Sequence, residues 1–240
     1  MHVIIIDSNA LARLSLYVES CNAVDKPLDI NIETLKDEFQ QKSIDKEYLN
    51  MKQIQEGYKL FTYIKGSRNV ISYLSRFSEI ELLGIFLDRA FDEELTRKGI
   101  PYRIRRKKPF RIQIDFDYQE RIVDYWNRIK QILKDYSIEF NYIEDEGDAI
   151  YRIMQISNLI SKYVALESID LYLYSAAIYL RANELYTHDK ELKSIINNIN
   201  NNSSWDRIKN GIISDLKNQF NEFKEEFERE NNITLPSGVP

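Results

Sequence analysis

The sequence predicts an α/β fold, a three-layer α/β/α sandwich around a central and mainly parallel sheet. Short runs of β-branched and aromatic residues alternate along the chain with longer segments of helical periodicity. The first run, residues 2–6, is continuously apolar, which is typical of a strand buried on both faces of a parallel sheet. Strands that alternate with helices are joined by right-handed crossovers, which place helices on both faces of the sheet.

Strands and helices follow from the hydrophobic pattern in chain order. We expect strands at residues 2–6, 70–74, 138–143 and 184–187. Apolar residues at helical spacing predict helices at residues 8–20, 44–63, 78–97, 118–136, 148–163, 168–182 and 190–199. Two short alternating segments flank a basic run within residues 99–116, a pattern that predicts a hairpin. A charged helix is expected at about 205–230, after a polar stretch that ends at Ser204.

The chain length is consistent with one principal domain. Its 240 residues correspond to one or two domains of about 100–200 residues each. We assign residues 1–200 to one domain, with an insertion at about 96–137 that carries the basic hairpin and an extra helix. Residues 201–240 are expected to form a C-terminal helix and tail that pack on this domain, or that support a homodimer.

The composition excludes several kinds of site. A single cysteine, Cys21, excludes an internal disulfide and a cysteine-rich zinc site, and two histidines are too few for a histidine-based metal centre. The net charge of −5 gives no overall positive field, so contact with nucleic acid requires a local basic patch. The apolar start is too short for a secretory or membrane-spanning segment, and we expect a cytoplasmic protein without membrane contact.

Four carboxylates fall where predicted strands end or helices begin. Asp7 directly follows the first strand and Asp189 follows the fourth, while Glu81 and Asp170 lie in the first turns of helices. The carboxyl ends of parallel strands share one edge of the sheet, where α/β folds bind their ligands. Four converging carboxylates repel one another unless a divalent cation lies among them, and hard oxygen ligands suit Mg²⁺ or Mn²⁺.

A purely structural interpretation stays open for three of the four. Ser78 and Glu81 have the spacing of a capping box, in which Ser78 caps the helix and Glu81 bonds back to it. Asp189 suits a helix N-cap, and Asp170 suits the positive end of a helix dipole. Asp7 differs, because a carboxylate at the end of a central apolar strand has few structural reasons to be there.

Four short motifs, in this order, resemble those of the PIN-domain nucleases. Residues 4–11 (IIIDSNAL) are similar to the family's first motif, an apolar strand followed by Asp-Ser/Thr-Asn. Residues 75–83 resemble its second motif, with Glu81 rather than Glu79 as the ligand, and residues 170–177 and 185–192 resemble its third and fourth. The resemblance covers residues 1–12, 70–87 and 138–196.

This resemblance implies a metal-dependent endoribonuclease in which bound ions activate a water that hydrolyses an RNA phosphodiester bond. The ligands of one or two Mg²⁺ or Mn²⁺ ions would be Asp7, Glu81, Asp170 and Asp189. Residues that orient these ligands or the water would be Ser8, Asn9 and Thr187. The hydroxyl groups among them are equally suited to ordinary turn and capping roles. No protein nucleophile is needed, which agrees with the scarcity of histidine and cysteine.

The basic run is a candidate binding surface for the RNA backbone. Eight cations and no acid occur between Arg97 and Arg111. Phosphate contacts would come from six of them: Arg103, Arg105, Arg106, Lys107, Lys108 and Arg111. The alternatives are a solvated loop and a docking site for a protein partner.

Other functions stay open at this stage. A catalytically inactive PIN-like module would bind RNA or a protein without cleaving it. A toxin of a toxin–antitoxin pair, or a defence nuclease, would keep the chemistry and add an inhibitory protein partner, and DNA is an alternative substrate. A phosphatase resembling the haloacid dehalogenases also places Asp after its first strand, but it needs a second Asp where this chain has Asn9.

Overall fold

The sheet of this protein consists of four parallel strands. The structure is a computed structural model that describes residues 2–42, 50–67, 69–97, 99, 116–161, 165–190 and 192–194. The strands are β1 (His2–Ile6), β2 (Val70–Leu74), β3 (Phe140–Tyr142) and β4 (Glu184–Tyr186). Their order across the sheet is β3-β2-β1-β4, and every pairing is parallel. The carboxyl ends of all four strands therefore lie along one edge.

Helices connect these strands. Between β1 and β2 lie α1 (Ser8–Ala23), α2 (Ile32–Gln41) and α3 (Met51–Gly66), and between β2 and β3 lie α4 (Arg76–Arg97) and α5 (Phe116–Asp135). Between β3 and β4 lie a 3₁₀ turn (Ile143–Asp145), α6 (Ala149–Ile160) and α7 (Ser168–Tyr179). Residues 190 and 192–194, shortly after β4, are also helical.

Alternate residues of β1 face two different apolar clusters. Ile4 and Ile6 belong to the larger cluster, with side chains of α1 to α5, whereas Ile5 packs with side chains of α6 and α7. Because successive side chains of a strand point to opposite faces, helices cover both faces of the sheet. The predicted α/β class and parallel sheet are confirmed, and the packing is compatible with a three-layer sandwich.

Two helices differ from the prediction for local reasons. The hydrophobic pattern did not lead us to α2, although its buried residues Ile32, Leu35 and Phe39 have helical spacing. The helix expected at 44–63 begins instead at Met51, because the backbone of Asn50 is not helical and its side chain caps the helix. Residues 43–49 lie outside the described part of the chain.

The other predicted elements within the described residues are present, with ends that differ by at most three residues. The helix expected at 190–199 is described only at residues 190 and 192–194. The hairpin expected within residues 99–116 and the helix expected at 205–230 lie outside the described residues, apart from Gly99 and Phe116. Within the described residues, no helix combines the length and the apolarity that a membrane crossing requires.

The helix expected within the insertion, α5, is built into the main core. Its residues Ile122, Trp126 and Leu133 are buried in the larger apolar cluster. The Trp126 indole and the Lys130 ammonium both donate to Glu79 of α4. This contact helps to hold α4 in place, and α4 also carries Glu81.

The packing of α1 on α3 leaves room only for glycine at position 57. A Cβ atom there would lie 2.1 Å from the Arg13 carbonyl oxygen and 2.9 Å from the Tyr17 Cβ atom. Atoms in contact are ordinarily about 3.5 Å apart. We predict that Gly57→Ala lowers the free energy of unfolding by about 2 kcal/mol or more, measured by urea denaturation.

The matched control is Gly84→Ala in α4, where nothing lies within 4 Å of the added Cβ. Alanine is the better helix former, so this substitution should raise stability by up to about 1 kcal/mol. Equal effects of the two substitutions would contradict the close approach of α1 and α3.

Candidate metal centre at the carboxyl edge of the sheet

The polar groups predicted from the sequence lie at the carboxyl ends of β1 and β4. Asp7 directly follows β1, and its backbone N–H donates to the Tyr186 carbonyl oxygen at 3.1 Å. Thr187 directly follows β4, the strand beside β1. Asp7 is only 3% exposed. Burial of a carboxylate is costly unless hydrogen bonds or an ion compensate its charge.

Two hydroxyl groups connect the Asp7 carboxylate to the Glu81 carboxylate and to the backbone of Asp189. The Ser8 hydroxyl lies 3.2 Å from Asp7 Oδ1 and 2.7 Å from Glu81 Oε2. The Thr187 hydroxyl donates to Asp7 Oδ2 at 2.7 Å and accepts from the Asp189 backbone N–H at 3.0 Å. A serine hydroxyl has one proton, so Ser8 cannot donate fully to both of its carboxylate neighbours.

Asp170, in the first turn of α7, belongs to the same group through electrostatics. Burial, followed by repulsion from Asp7, Asp189, Glu167 and Glu81, raises the pKa of Asp170 to about 6. The charges of the three other predicted carboxylates all act on this one. The other three therefore lie within electrostatic reach of Asp170, although they come from three other segments of the chain.

The predicted capping box at Ser78 and Glu81 is wrong. The Ser75 hydroxyl accepts the Phe77 backbone N–H at 3.1 Å, so α4 begins earlier than the capping box requires. The Ser78 hydroxyl is buried and has no hydrogen-bond partner among the described residues. Glu81 is exposed and accepts from Ser8 instead. The interpretation of Glu81 as part of a capping box is therefore wrong.

The structural interpretations of the other three acids have different outcomes. Asp7 precedes α1, but its side chain does not cap that helix. Asp170 accepts no hydrogen bond from the described residues, but it lies in the first turn of α7, so its favourable interaction with the helix dipole remains a structural interpretation. Asp189 does have a structural role, because its Oδ1 accepts the Leu192 backbone N–H at 2.9 Å. A capping carboxylate keeps a second oxygen for other contacts.

The oxygen donors of this site suit a hard divalent cation, but the described carboxylates do not form a complete set of metal ligands. Carboxylate and hydroxyl oxygens are the ligands that Mg²⁺ and Mn²⁺ prefer. Among the described residues, no Lys or Arg forms an ion pair with Asp7, Glu81 or Asp170. Nor do three His, Cys, Asp or Glu side chains of the described part stand in an arrangement that holds an ion.

Asn9 lies apart from the hydroxyl-linked carboxylates. Its side chain is exposed and forms no hydrogen bond with any described residue. It lines a cavity together with Arg13, His188, Asp189 and Lys190. The sequence analysis missed Arg13, although its spacing of four residues from Asn9 places both on one face of α1. The six basic residues expected to contact phosphates, at positions 103–111, lie outside the described part of the chain.

His188 is neutral in this setting. Burial, followed by the nearby Arg13 charge, lowers its pKa to about 4. Its ring packs edge to face on Tyr186, with the ring centroids 5.5 Å apart. Its Nε2 atom is buried without a hydrogen-bond partner among the described residues.

Two further acids near the site are fully engaged in holding the fold. Glu144, after β3, accepts from the Ser75 hydroxyl at 2.7 Å, the Tyr172 hydroxyl at 3.0 Å and the Arg76 backbone N–H at 2.9 Å. It therefore binds the start of α4 to α7. These partners are distant in sequence, so no local pattern pointed to Glu144.

Glu79 likewise has three donors. It accepts from Trp126, Lys130 and Tyr142. Burial raises its pKa, but the hydrogen bonds from Lys130, Trp126 and Tyr142 outweigh burial and lower it overall. A carboxylate engaged in this way is not available to an ion, which favours Glu81 over Glu79 as the ligand.

Comparisons of this chain with known proteins add no relative. No protein-family model, no curated protein sequence and no solved structure gives a significant match. The resemblance to the PIN-domain nucleases therefore rests on the four sequence motifs alone.

The repulsion at Asp170 has a measurable effect on stability. Its pKa in the folded protein lies above the ordinary value of 3.8, so the fold holds this proton more tightly than the unfolded chain does. The ionised group therefore destabilises the fold, and that effect grows as the pH rises from about 4 to above 6. Without metal, we predict that Asp170→Asn raises the free energy of unfolding by about 1–2 kcal/mol near neutral pH, after allowance for solvent screening.

The gain should shrink as the pH falls below 6 and disappear below about pH 3, where Asp170 is protonated in both states, and denaturation curves across this pH range will show it. Glu33→Gln is the matched control, since Glu33 lies in the first turn of α2 and pairs with Lys36. This control should not raise stability. A pH-independent gain from Asp170→Asn would contradict the repulsion.

Proposed function

We propose that this protein is a metal-dependent endoribonuclease of PIN type that hydrolyses RNA phosphodiester bonds. Its ligands for Mg²⁺ or Mn²⁺ would be Asp7, Glu81, Asp170 and Asp189. One observation carries the proposal: Asp7, Glu81 and Asp189, from three other segments of the chain, all act electrostatically on the half-buried Asp170. Asp7 and Asp189 follow neighbouring strands at the edge of the sheet where α/β proteins bind ligands. Such an arrangement lowers stability, and functional sites are where proteins tolerate it.

The residues around the carboxylates have defined tasks in this proposal. Thr187 and Ser8 hold Asp7 from its two sides, so that its oxygens keep a fixed direction at the end of β1. Ser8 also fixes the exposed Glu81 side chain. A bound Mg²⁺ or Mn²⁺ ion would supply a reactive water at neutral pH and would stabilise the charge that develops on the phosphate.

Covalent catalysis by a protein side chain finds no support in the described residues. Cys21 is buried in the core, and burial raises its pKa to about 11, which suppresses the reactive thiolate. His2 lies at the opposite end of β1 from Asp7 and contacts the Tyr63 hydroxyl. His188 packs on Tyr186. Water activated among carboxylates is the chemistry that these side chains support.

The second candidate is a non-catalytic PIN-like module that binds RNA or a protein. It is favoured by one observation, namely that the described carboxylates do not already form a three-membered ligand set. The two candidates differ in whether a divalent cation binds, because only the nuclease requires the carboxylates to close around an ion.

Metal binding is tested by unfolding the protein with and without Mn²⁺. A ligand present at a hundred times its dissociation constant stabilises the folded state by about 2.7 kcal/mol. We therefore expect millimolar Mn²⁺ to raise the midpoint of thermal unfolding, at matched ionic strength. Asp7→Asn should abolish the rise, while Glu33→Gln should keep it. A midpoint that Mn²⁺ leaves unchanged would favour the non-catalytic module.

Catalysis is tested by cleavage of mixed single-stranded and structured RNA and DNA pools in Mg²⁺ or Mn²⁺. We expect RNA products with 5′-phosphate and 3′-hydroxyl ends, and no cleavage with a chelator. Asp7→Asn and Asp170→Asn should each reduce the rate by at least ~100-fold, because loss of an outer residue already costs about 10–100-fold. Glu33→Gln serves as the control and should cleave like the unmodified protein. Undiminished cleavage by Asp7→Asn would assign the activity to another site.

A further inference from the structure

A shallow cavity of about 390 Å³, wide open to solvent, lies beside Asp189. Its lining comes from the first turns of α1 and from the segment that follows β4: Asn9, Arg13, His188, Asp189 and Lys190. Because β1 and β4 are neighbours in the sheet, the cavity lies beyond the carboxyl ends of two adjacent parallel strands. We call it the Arg13–Lys190 cavity.

The lining of this cavity is suited to an anion. Arg13 and Lys190 contribute two positive charges, and Asp189 is the one carboxylate among its described lining residues. Asp189 is also a proposed metal ligand, so a bound ion would offset its charge. A cation in the cavity would face two cationic groups, whereas an anion would be attracted by both.

The surroundings of the cavity carry charges of both signs. Lys59, Lys193 and Glu56 all act electrostatically on His188, which lines the cavity. Glu56 pairs with Arg13 at 2.6 Å and fixes the position of its guanidinium group. The guanidinium group has five N–H donors, so this ion pair leaves donors for a second acceptor.

The size of the cavity exceeds what a single small ion needs. One water molecule takes up about 30 Å³ in the liquid, and sites for small organic ligands span roughly 300–1,000 Å³. The Arg13–Lys190 cavity is therefore large enough for one nucleotide unit with its phosphate group. Asn9 and Lys190 are exposed, so a chain entering from solvent reaches them.

We propose that the Arg13–Lys190 cavity binds a backbone phosphate of a single-stranded nucleic acid, next to the phosphodiester bond at the carboxylates. This inference deepens the proposed nuclease function and rests on it. Arg13 would present its planar fork to the phosphate oxygens, Lys190 a mobile point charge and Asn9 an amide donor. Contacts of this kind position a strand without reading its bases, so the cavity imposes no sequence preference.

The two cations of the cavity also reduce the repulsion between the protein and a nucleic-acid strand. A polyanion is repelled by a protein with a net charge of −5, and most strongly at a cluster of carboxylates. Two cations beside that cluster attract the strand where the net charge does not. One phosphate would thus be held by side chains while its neighbour faces the metal ligands.

Lys190→Ala tests the cavity without disturbing the core, since Lys190 is exposed. The probe is a fluorescent single-stranded RNA of about 12 nucleotides, measured by anisotropy in Mn²⁺ with all variants in the slowly cleaving Asp170→Asn background, so that the ion that offsets Asp189 is present and the RNA stays intact. We expect affinity to fall about 5–10-fold at low salt, and the slope of log affinity against log salt concentration to become shallower by about 0.7. Lys190→Arg should retain most of the affinity.

The matched control is Lys134→Ala, which removes the same charge from an exposed lysine that pairs with Glu139 outside the cavity. It should change affinity less than about twofold. Equal losses in Lys190→Ala and Lys134→Ala would show that only overall charge matters and would overturn the proposal. The proposal would also be overturned if the unmodified protein bound neither the RNA nor a DNA of the same sequence.

Two further measurements separate this inference from the proposed function. In Mn²⁺, Lys190→Ala should raise KM about 5–10-fold and leave kcat within about twofold, the result expected for loss of uniform binding. Cleavage with an unchanged KM would leave the nuclease standing and overturn the cavity proposal. RNA binding that depends on Lys190, without any cleavage, would support the cavity proposal and contradict the nuclease function.

Displacement of the RNA by equimolar inorganic phosphate or a mononucleotide would assign the cavity to a small phosphate ligand and overturn the polynucleotide proposal.

Discussion

Repulsion among carboxylates at one edge of the sheet is the constraint on which the functional interpretation depends. Asp7 is buried at the end of a central strand, and the single proton of Ser8 is shared between Asp7 and Glu81. Asp170 lies close enough for the other three carboxylates to raise its pKa. Protein donors therefore compensate this charge only in part, and a divalent cation would complete the compensation.

The parallel sheet explains why opposite charges lie so close together here. α1 begins directly after β1, so Asp7, Ser8 and Asn9 all lie at the same edge, and one further turn of helix brings in Arg13. The segment after β4 adds Thr187, His188, Asp189 and Lys190 at the neighbouring strand end. A region of negative charge thus adjoins a region of positive charge, with Asp189 common to both. This arrangement suits a polyanion whose reacting phosphate needs a cation and whose next phosphate does not.

The number of donors around each acid distinguishes structural roles from functional ones. Glu79 and Glu144 each accept from three groups of the protein, and both join elements of the fold. Glu81 accepts from a single described hydroxyl, and Asp170 from no described donor. Hydrogen bonds from the described residues therefore stabilise Asp170 not at all and Glu81 only through Ser8, unlike Glu79 and Glu144.

The sequence by itself determined the α/β class, the four strands and the acids at their ends, because buried strands and helix periodicity are local patterns. It did not reveal α2, the start of α4 at Arg76 or the roles of Glu144 and Arg13. Only the tertiary structure decided that Glu81 bonds to Ser8, 73 residues away, rather than capping its own helix. The physical reason is that a hydrogen bond between distant segments depends on how the helices pack on the sheet. The spacing of residues along the sequence does not show how the helices pack.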